Sequence, residues 1–88
     1  MILKLTLKVH WYDQIDKGIK KEEYREIKDY WTSRIWNRRD EITEIEFTDY
    51  RRKMRFRCEG ISIGQPKPEW TFNPFRTVYV LRLGERIG

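Results

Sequence analysis

The sequence predicts a small α+β domain, a mixed β-barrel of about five to six strands with two short helices. Apolar and polar residues alternate near the start of the chain and again in its second half, which is typical of half-buried strands. Two short segments have helical spacing instead. The 88 residues suffice for one domain, residues 1–88, and the strands are too mixed for a doubly wound sheet and too few for a sandwich.

The first half of the chain is predicted as strand, helix, strand, helix. Residues 2–9 place leucine and valine at odd positions, which indicates a strand, and residues 10–17 have the spacing of a two-turn helix. Gly18 suits the left-handed residue that ends a helix. Residues 20–27 are predicted as a second strand, and residues 29–38 as a helix whose first residue, an aspartate, caps it.

The second half is predicted as a hairpin, a loop and a closing strand. The hairpin joins residues 44–48 to residues 53–58 through a turn at 49–52. All three prolines fall in residues 65–75, which predicts an irregular, partly rigid loop. Residues 77–83 are nearly all apolar and are predicted as the last strand.

The charge balance favours a polyanionic partner. The chain has 19 basic and 14 acidic residues, a net charge of +5. Nucleic acid is one such partner, although a small basic protein can also be basic without binding any. Both interpretations remain open on charge alone.

The cysteine and histidine content excludes some classes of site. One cysteine cannot form an internal disulfide, and one cysteine with one histidine is too few for a structural zinc site. Cys58 alternates with Met54 and Phe56, so we expect a core thiol. The first ten residues resemble neither a signal peptide nor a membrane span. We therefore expect a cytoplasmic protein without metal or cofactor.

Four residues between the first helix and the second strand form the most informative pattern, Gly18-x-Lys20-x-x-Glu23-x-Arg25. On a strand, Glu23 and Arg25 share one face, and Lys20 follows the glycine closely. A carboxylate between two cations can act in ligand recognition or proton transfer. It can equally be an exposed salt-bridge cluster, which contributes only about 0–1 kcal/mol to stability.

These residues resemble the GxKxxExR signature of the ASCH domain family. The following segment, residues 23–31, is EYREIKDYW and is similar to the EYRxxKxYW run of small bacterial and phage members. The likeness extends to the opening strand, to residues 47–50 and to residues 79–84. It implies a PUA-like β-barrel with a cleft beside the first helix, and a role with RNA or modified nucleosides.

The family resemblance leaves the question of enzymatic activity open. Some ASCH proteins are N4-acetylcytidine amidohydrolases, in which a threonine nucleophile occupies the position of Glu23 and the motif lysine lies beside it. Others are ribonucleases or RNA-binding modules. If this protein is a hydrolase of RNA or of a modified nucleoside, Lys20 and Glu23 are the proton-transfer pair.

We expect an RNA- or nucleotide-binding domain whose cleft is lined by the motif. The residues assigned to ligand binding are Lys20, Glu23, Arg25, Tyr30 and Trp70. The alternative from another class is a non-enzymatic protein-interaction module, for example a phage-encoded inhibitor whose basic surface docks an acidic protein.

Two further groups of residues have two interpretations each. The basic residues at positions 51–57 can follow a phosphate backbone, or Glu44 and Glu46 on the paired strand can neutralise Arg55 and Arg57, which we favour. The rings in the proline-bearing loop can stack on an unpaired base or plug the barrel end. They are Trp70, Phe72 and Phe75. We expect the helix residues Trp11, Ile15, Trp31 and Ile35 to pack on the barrel.

Overall fold

Five strands form one mixed sheet that curls into a half-barrel, with two helices packed against it. The computed structural model describes residues 1–88. The elements, in chain order, are β1 (Ile2–Thr6), α1 (Val9–Asp16), β2 (Glu22–Glu26), α2 (Asp29–Arg34), β3 (Glu44–Thr48), β4 (Lys53–Gly64) and β5 (Val78–Arg86), with short 3-10 helices at Trp36–Arg38 and Pro68–Trp70. None of the helices is long and apolar enough to span a membrane.

The order of strands across the sheet is β1-β3-β4-β5-β2. Strand β1 runs parallel to β3, and the other neighbours are antiparallel. The predicted α+β class, with five strands and two helices, is confirmed. The sheet is not closed by strand pairing, however, because β1 and β2 are its two edges. It is a half-barrel, where the sequence predicted a full barrel.

The concave face of the sheet holds the core. Strand β1 buries Leu3 and Leu5, and β3 buries Ile45 and Phe47, as the alternation predicted. Burying each such side chain stabilises the fold by about 1.5–3 kcal/mol. The remaining members of the core cluster are Leu7, Tyr12, Ile15, Ile35, Ile42, Met54, Phe56, Tyr79 and Leu81.

Helix α2 and the turn after it pack on this core. Ile35 is fully buried, and the Trp36 ring stacks on Tyr79 with ring centroids 5.7 Å apart. The predicted cap was wrong: Lys28 is the N-cap residue, and no side chain caps the helix. The helix also ends at Arg34, four residues earlier than expected, and a 3-10 turn follows it.

Helix α1 ends where the sequence indicated. Gly18 has a φ of +74°, the left-handed conformation that glycine adopts without steric cost. The N–H groups of Gly18 and Ile19 donate to the carbonyls of Ile15 and Gln14, which satisfies the end of the helix. The helix begins at Val9, so β1 is shorter than predicted and Val9 is exposed.

Strand β4 is longer than predicted and contains a bulge. Its register with β5 shifts between Phe56 and Gly60, and Cys58 lies half-buried in this segment. Burial raises the pKa of the Cys58 thiol above its ordinary value, in line with an unreactive core cysteine. Gly60 has a φ of +159°, and a Cβ at this position would lie 3.2 Å from Nη2 of Arg82. The Arg82 guanidinium thus occupies the space that a side chain would need.

Candidate functional site

The turn at Gly18 connects α1 to β2, the edge strand that carries most of the motif. Lys20 lies just before β2, and Glu23 and Arg25 lie on it, with Glu23 opposite Leu81 of β5. Lys20 is 3% exposed and Glu23 is 5% exposed. Of the two interpretations that the motif allowed, the exposed salt-bridge cluster does not hold, because the lysine and the carboxylate are buried.

The structure brings the three charged residues into direct contact. Nζ of Lys20 lies 3.0 Å from Oε1 of Glu23. Nε and Nη2 of Arg25 donate to the other carboxylate oxygen, Oε2, at 3.1 and 2.7 Å. Both oxygens of Glu23 are therefore held by cations, as in a buried ion-pair network.

Each cation also anchors a more distant part of the chain. Nη2 of Arg25 donates to the carbonyl of Thr6 at 3.0 Å, which joins β2 to β1 across the gap between the sheet edges. Nζ of Lys20 donates to the carbonyl of Trp70 at 2.9 Å and lies 4.3 Å from the centroid of the Trp11 ring. The network therefore ties the sheet edges and the proline-bearing loop together.

Burial changes the proton affinity of the Lys20 amine. Desolvation lowers the pKa of Lys20 below its ordinary value, and this effect exceeds the opposing attraction of Glu23. Arg25 lowers the pKa further by repulsion. An amine with a lowered pKa gives up its proton more readily than a free lysine, which is useful in acid–base chemistry only if a ligand can reach it.

A groove of about 360 Å³ lies beside the motif, on the side of the proline-bearing loop. Its lining residues are Lys21, Glu22, Glu59, Lys67, Trp70, Arg82 and Leu83. We call it the Trp70 groove. Lys20 and Glu23 do not line it, so the predicted cleft lined by the whole motif is not present. Arg25 lines only a separate depression of about 160 Å³.

A second link holds the loop beside the Trp70 groove. The hydroxyl of Tyr24 donates to Glu22 at 2.7 Å and accepts from the backbone N–H of Lys67 at 3.1 Å. Burial raises the pKa of Tyr24 above its ordinary value, so the hydroxyl keeps its proton. The loop is therefore attached to β2 through Lys67 and through Trp70.

The aromatic residues of the loop have different surroundings. Trp70 is partly exposed at the groove, with Nζ of Lys67 4.7 Å from its ring centroid. The Phe72 ring packs against Trp11 with centroids 4.6 Å apart. Phe75 is 92% exposed. Trp70 is the one ring of the three that lines the Trp70 groove, and none of them enters the core cluster.

Tyr30, the other predicted binding ring, lies on α2 away from the ion-pair network. It is half-exposed, and the Arg34 guanidinium lies 3.6 Å from its ring centroid. Its neighbour Trp31 instead contacts Arg25, at 4.8 Å from the ring centroid to Cζ. The structure therefore groups Lys20, Glu23, Arg25 and the Trp70 carbonyl, and leaves Tyr30 outside.

The basic run of β4 is largely neutralised. Arg55 lies 3.6 Å from Glu44 and 3.3 Å from Glu46, as the hairpin pairing predicted. Arg57 is also paired, but with Glu85 of β5 at 3.5 Å rather than with Glu44. This face is a poor phosphate track because its arginines already have carboxylate partners.

The sequence did not identify Lys21, Lys67 and Arg82 as site residues. All three are exposed, and none forms an ion pair with a carboxylate. Lys21 could have been identified from the sequence, because it directly follows the motif lysine, Lys20. Lys67 and Arg82 lie more than forty residues after Lys21 in the chain. They come close to Lys21 only because β2 pairs with β5 and the proline-bearing loop packs beside them.

No protein-family model, curated protein or solved structure matches the chain. The resemblance to ASCH domains rests on the residues of the motif and the segments quoted with it.

Proposed function

We propose that this protein is an ASCH-like, PUA-like domain that binds single-stranded RNA or a nucleotide in the Trp70 groove. One observation carries the proposal: Trp70 is held at its carbonyl by the buried Lys20, and its ring lines a groove with three cations that lack carboxylate partners. An aromatic ring on an anchored loop, beside cations without carboxylate partners, is a combination typical of proteins that bind single-stranded nucleic acid.

The groove offers a partner for each part of a nucleotide. The Trp70 ring gives a stacking surface, which contributes about 1–3 kcal/mol per base in proteins that bind single strands. Lys21, Lys67 and Arg82 suit phosphate oxygens. The carboxylates of Glu22 and Glu59 can accept hydrogen bonds from base amino groups or ribose hydroxyls. The net charge of +5 attracts the ligand from a distance.

Binding fits the geometry better than hydrolysis does. Lys20 and Glu23, the predicted proton-transfer pair, are buried and satisfied by each other, by Arg25 and by the Trp70 carbonyl. A ligand in the groove therefore does not contact them. In the proposed function the network positions the loop that carries Trp70.

The test is the affinity for a short, fluorescently labelled single-stranded RNA, measured by anisotropy at low salt. Trp70→Ala removes the ring but keeps the backbone carbonyl that Lys20 binds, so we expect a loss of about 1–3 kcal/mol with the loop still anchored. Phe75→Ala removes an exposed ring of the same loop and is expected to leave the affinity unchanged.

Two results would contradict the proposal. The first is a wild-type protein with no measurable affinity for RNA or mononucleotides. The second is an RNA affinity that Trp70→Ala and Phe75→Ala alter equally, because the ring in the groove would then have no special role.

A further inference from the structure

A second groove, of about 550 Å³, lies between β1 and α2 on another part of the surface. Its lining residues are Met1, Ile2, Leu3, Lys4, Ser33, Arg34 and Arg38. We call it the β1–α2 groove. Three of the seven residues are cations and none is acidic, in contrast to the mixed charges of the Trp70 groove.

The cations of this groove have no carboxylate partner. Lys4, Arg34 and Arg38 are exposed and take part in none of the ion pairs of the protein. Arg34 is oriented in advance: its guanidinium lies on the Tyr30 ring, and Nη1 lies 3.4 Å from the Tyr30 carbonyl. Little conformational freedom is left for Arg34 to lose when an anion binds.

The edge of β1 adds backbone donors to the same groove. Leu7 donates its N–H to β3, and the carbonyl of Met1 accepts from Thr43 on that side. In a strand of a parallel pair, the N–H and the C=O of one residue point to the same side, and consecutive residues alternate between the two sides of the strand. The N–H groups of Ile2 and Lys4 therefore point away from β3, towards the free edge that borders the groove.

We propose that the β1–α2 groove binds the phosphodiester backbone of single-stranded RNA, as a second contact surface for the ligand of the Trp70 groove. The inference rests on the proposed function. Planar guanidinium groups on one wall and an amine on the other suit phosphate oxygens, which every nucleotide of a strand supplies.

An acidic peptide pairing with the edge of β1 is the competing occupant. The carbonyl of Thr6 already accepts from Arg25, so the free edge is limited to residues 2–4, shorter than the roughly five to six residues most common in strands. A paired peptide would therefore make few backbone hydrogen bonds. The groove has three cations and no acidic residue, which favours a ligand held mainly by its charges, the phosphate backbone.

The test compares two double variants that each lose two positive charges. Arg34→Gln/Arg38→Gln changes the groove, whereas Lys8→Gln/Lys17→Gln changes two exposed, unpaired lysines near the ends of α1. The affinity for a single-stranded RNA long enough to reach both grooves is measured over a range of salt concentrations, with melting temperature as the check on folding. Lys4→Gln, on the other wall, is a second groove variant that leaves α2 unchanged.

We expect Arg34→Gln/Arg38→Gln to weaken binding about tenfold and to make the slope of log affinity against log salt shallower by about 1.4, because each phosphate contact of a single strand contributes about 0.7. Lys4→Gln should act in the same direction with about half the change in slope. The Lys8→Gln/Lys17→Gln control should stay within about twofold of the wild type, with an unchanged slope.

Three other results would overturn the inference, each for a different reason. Wild-type RNA affinity in both groove variants would show that the β1–α2 groove does not bind RNA, while RNA binding in the Trp70 groove would still stand. Loss of binding in the control as well shows a general charge effect. The wild type could instead bind a poly-glutamate peptide but not RNA, with peptide binding lost in Arg34→Gln/Arg38→Gln. This result would assign the groove to an acidic protein segment and would also contradict the proposed function.

Discussion

The amine of Lys20 donates a hydrogen bond to the carbonyl of Trp70, 2.9 Å away, although fifty residues of chain separate them. This bond joins the start of β2 to the loop that carries the candidate stacking ring. The same amine contacts Glu23, which Arg25 holds from the other side. The charged residues of the motif therefore act as an internal support for the Trp70 groove.

Glu23→Gln should destabilise the protein by about 3–5 kcal/mol. The substitution keeps the shape of the side chain but leaves the buried Lys20 ammonium without a counter-charge, and such a loss is strongly unfavourable. A domain of this size has a total stability of only about 5–15 kcal/mol, so the effect is easily resolved by urea unfolding.

Glu26→Gln is the matched control for that change. Glu26 lies on the same strand and pairs with Lys28 and Arg76, but all three side chains are about half-exposed. We expect a loss of at most about 1 kcal/mol. Equal losses for Glu23→Gln and Glu26→Gln would show that the motif is an ordinary surface salt bridge.

Gly18→Ala should cost about 1–2 kcal/mol because of backbone conformation alone. A Cβ at Gly18 would meet no heavy atom within 4 Å, so no clash contributes, but the φ of +74° is unfavourable for any residue with a side chain. Gly64→Ala is the comparison, because its Cβ would make an ordinary contact and no positive φ is involved. Thermal melts that show the same loss at both glycines would contradict this explanation.

The stability contributed by Asp49 should disappear in acid. Its carboxylate accepts from the side chain of Arg52 and from the backbone N–H groups of Arg51 and Arg52, which lowers the pKa of Asp49 to about 2. The unfolded chain then takes up the proton first, at its ordinary pKa of 3.8. The contribution is therefore complete above that value and is lost as the pH falls towards about 2.

Asp49→Asn isolates this contribution from those of the other carboxylates. The difference in unfolding free energy between the wild type and Asp49→Asn should be constant near neutral pH and should shrink between about pH 4 and pH 2. A difference that does not change over this range would show that the carboxylate of Asp49 has an ordinary pKa.

The strands could be predicted because a half-buried strand has a strict period of two. Leu5 of β1 and Phe56 of β4 are buried as their positions in the alternation require. The curled sheet and its open edge are not visible in this pattern. They depend on which strands pair, and the contact from Arg25 to Thr6 that bridges the edges appears only in the folded chain.

The site was predicted less completely because burial of a charged residue depends on distant neighbours. The sequence grouped Lys20, Glu23 and Arg25, and the structure places them in contact. It could not show that the loop at Trp70 covers them. Nor could it show that the register shift in β4 places Arg57 beside Glu85. The residues that line the Trp70 groove likewise come from four separate parts of the chain.

The most direct test of RNA binding in the Trp70 groove follows the indole N–H signals of the four tryptophans while isotope-labelled protein is titrated with single-stranded RNA. Trp70 lines the proposed binding groove, whereas Trp31 packs against the core beside Arg25. If RNA binds in the Trp70 groove, the Trp70 signal will shift in proportion to the bound fraction and the Trp31 signal will move little. Saturation with RNA while the Trp70 signal stays in place would rule out binding in this groove.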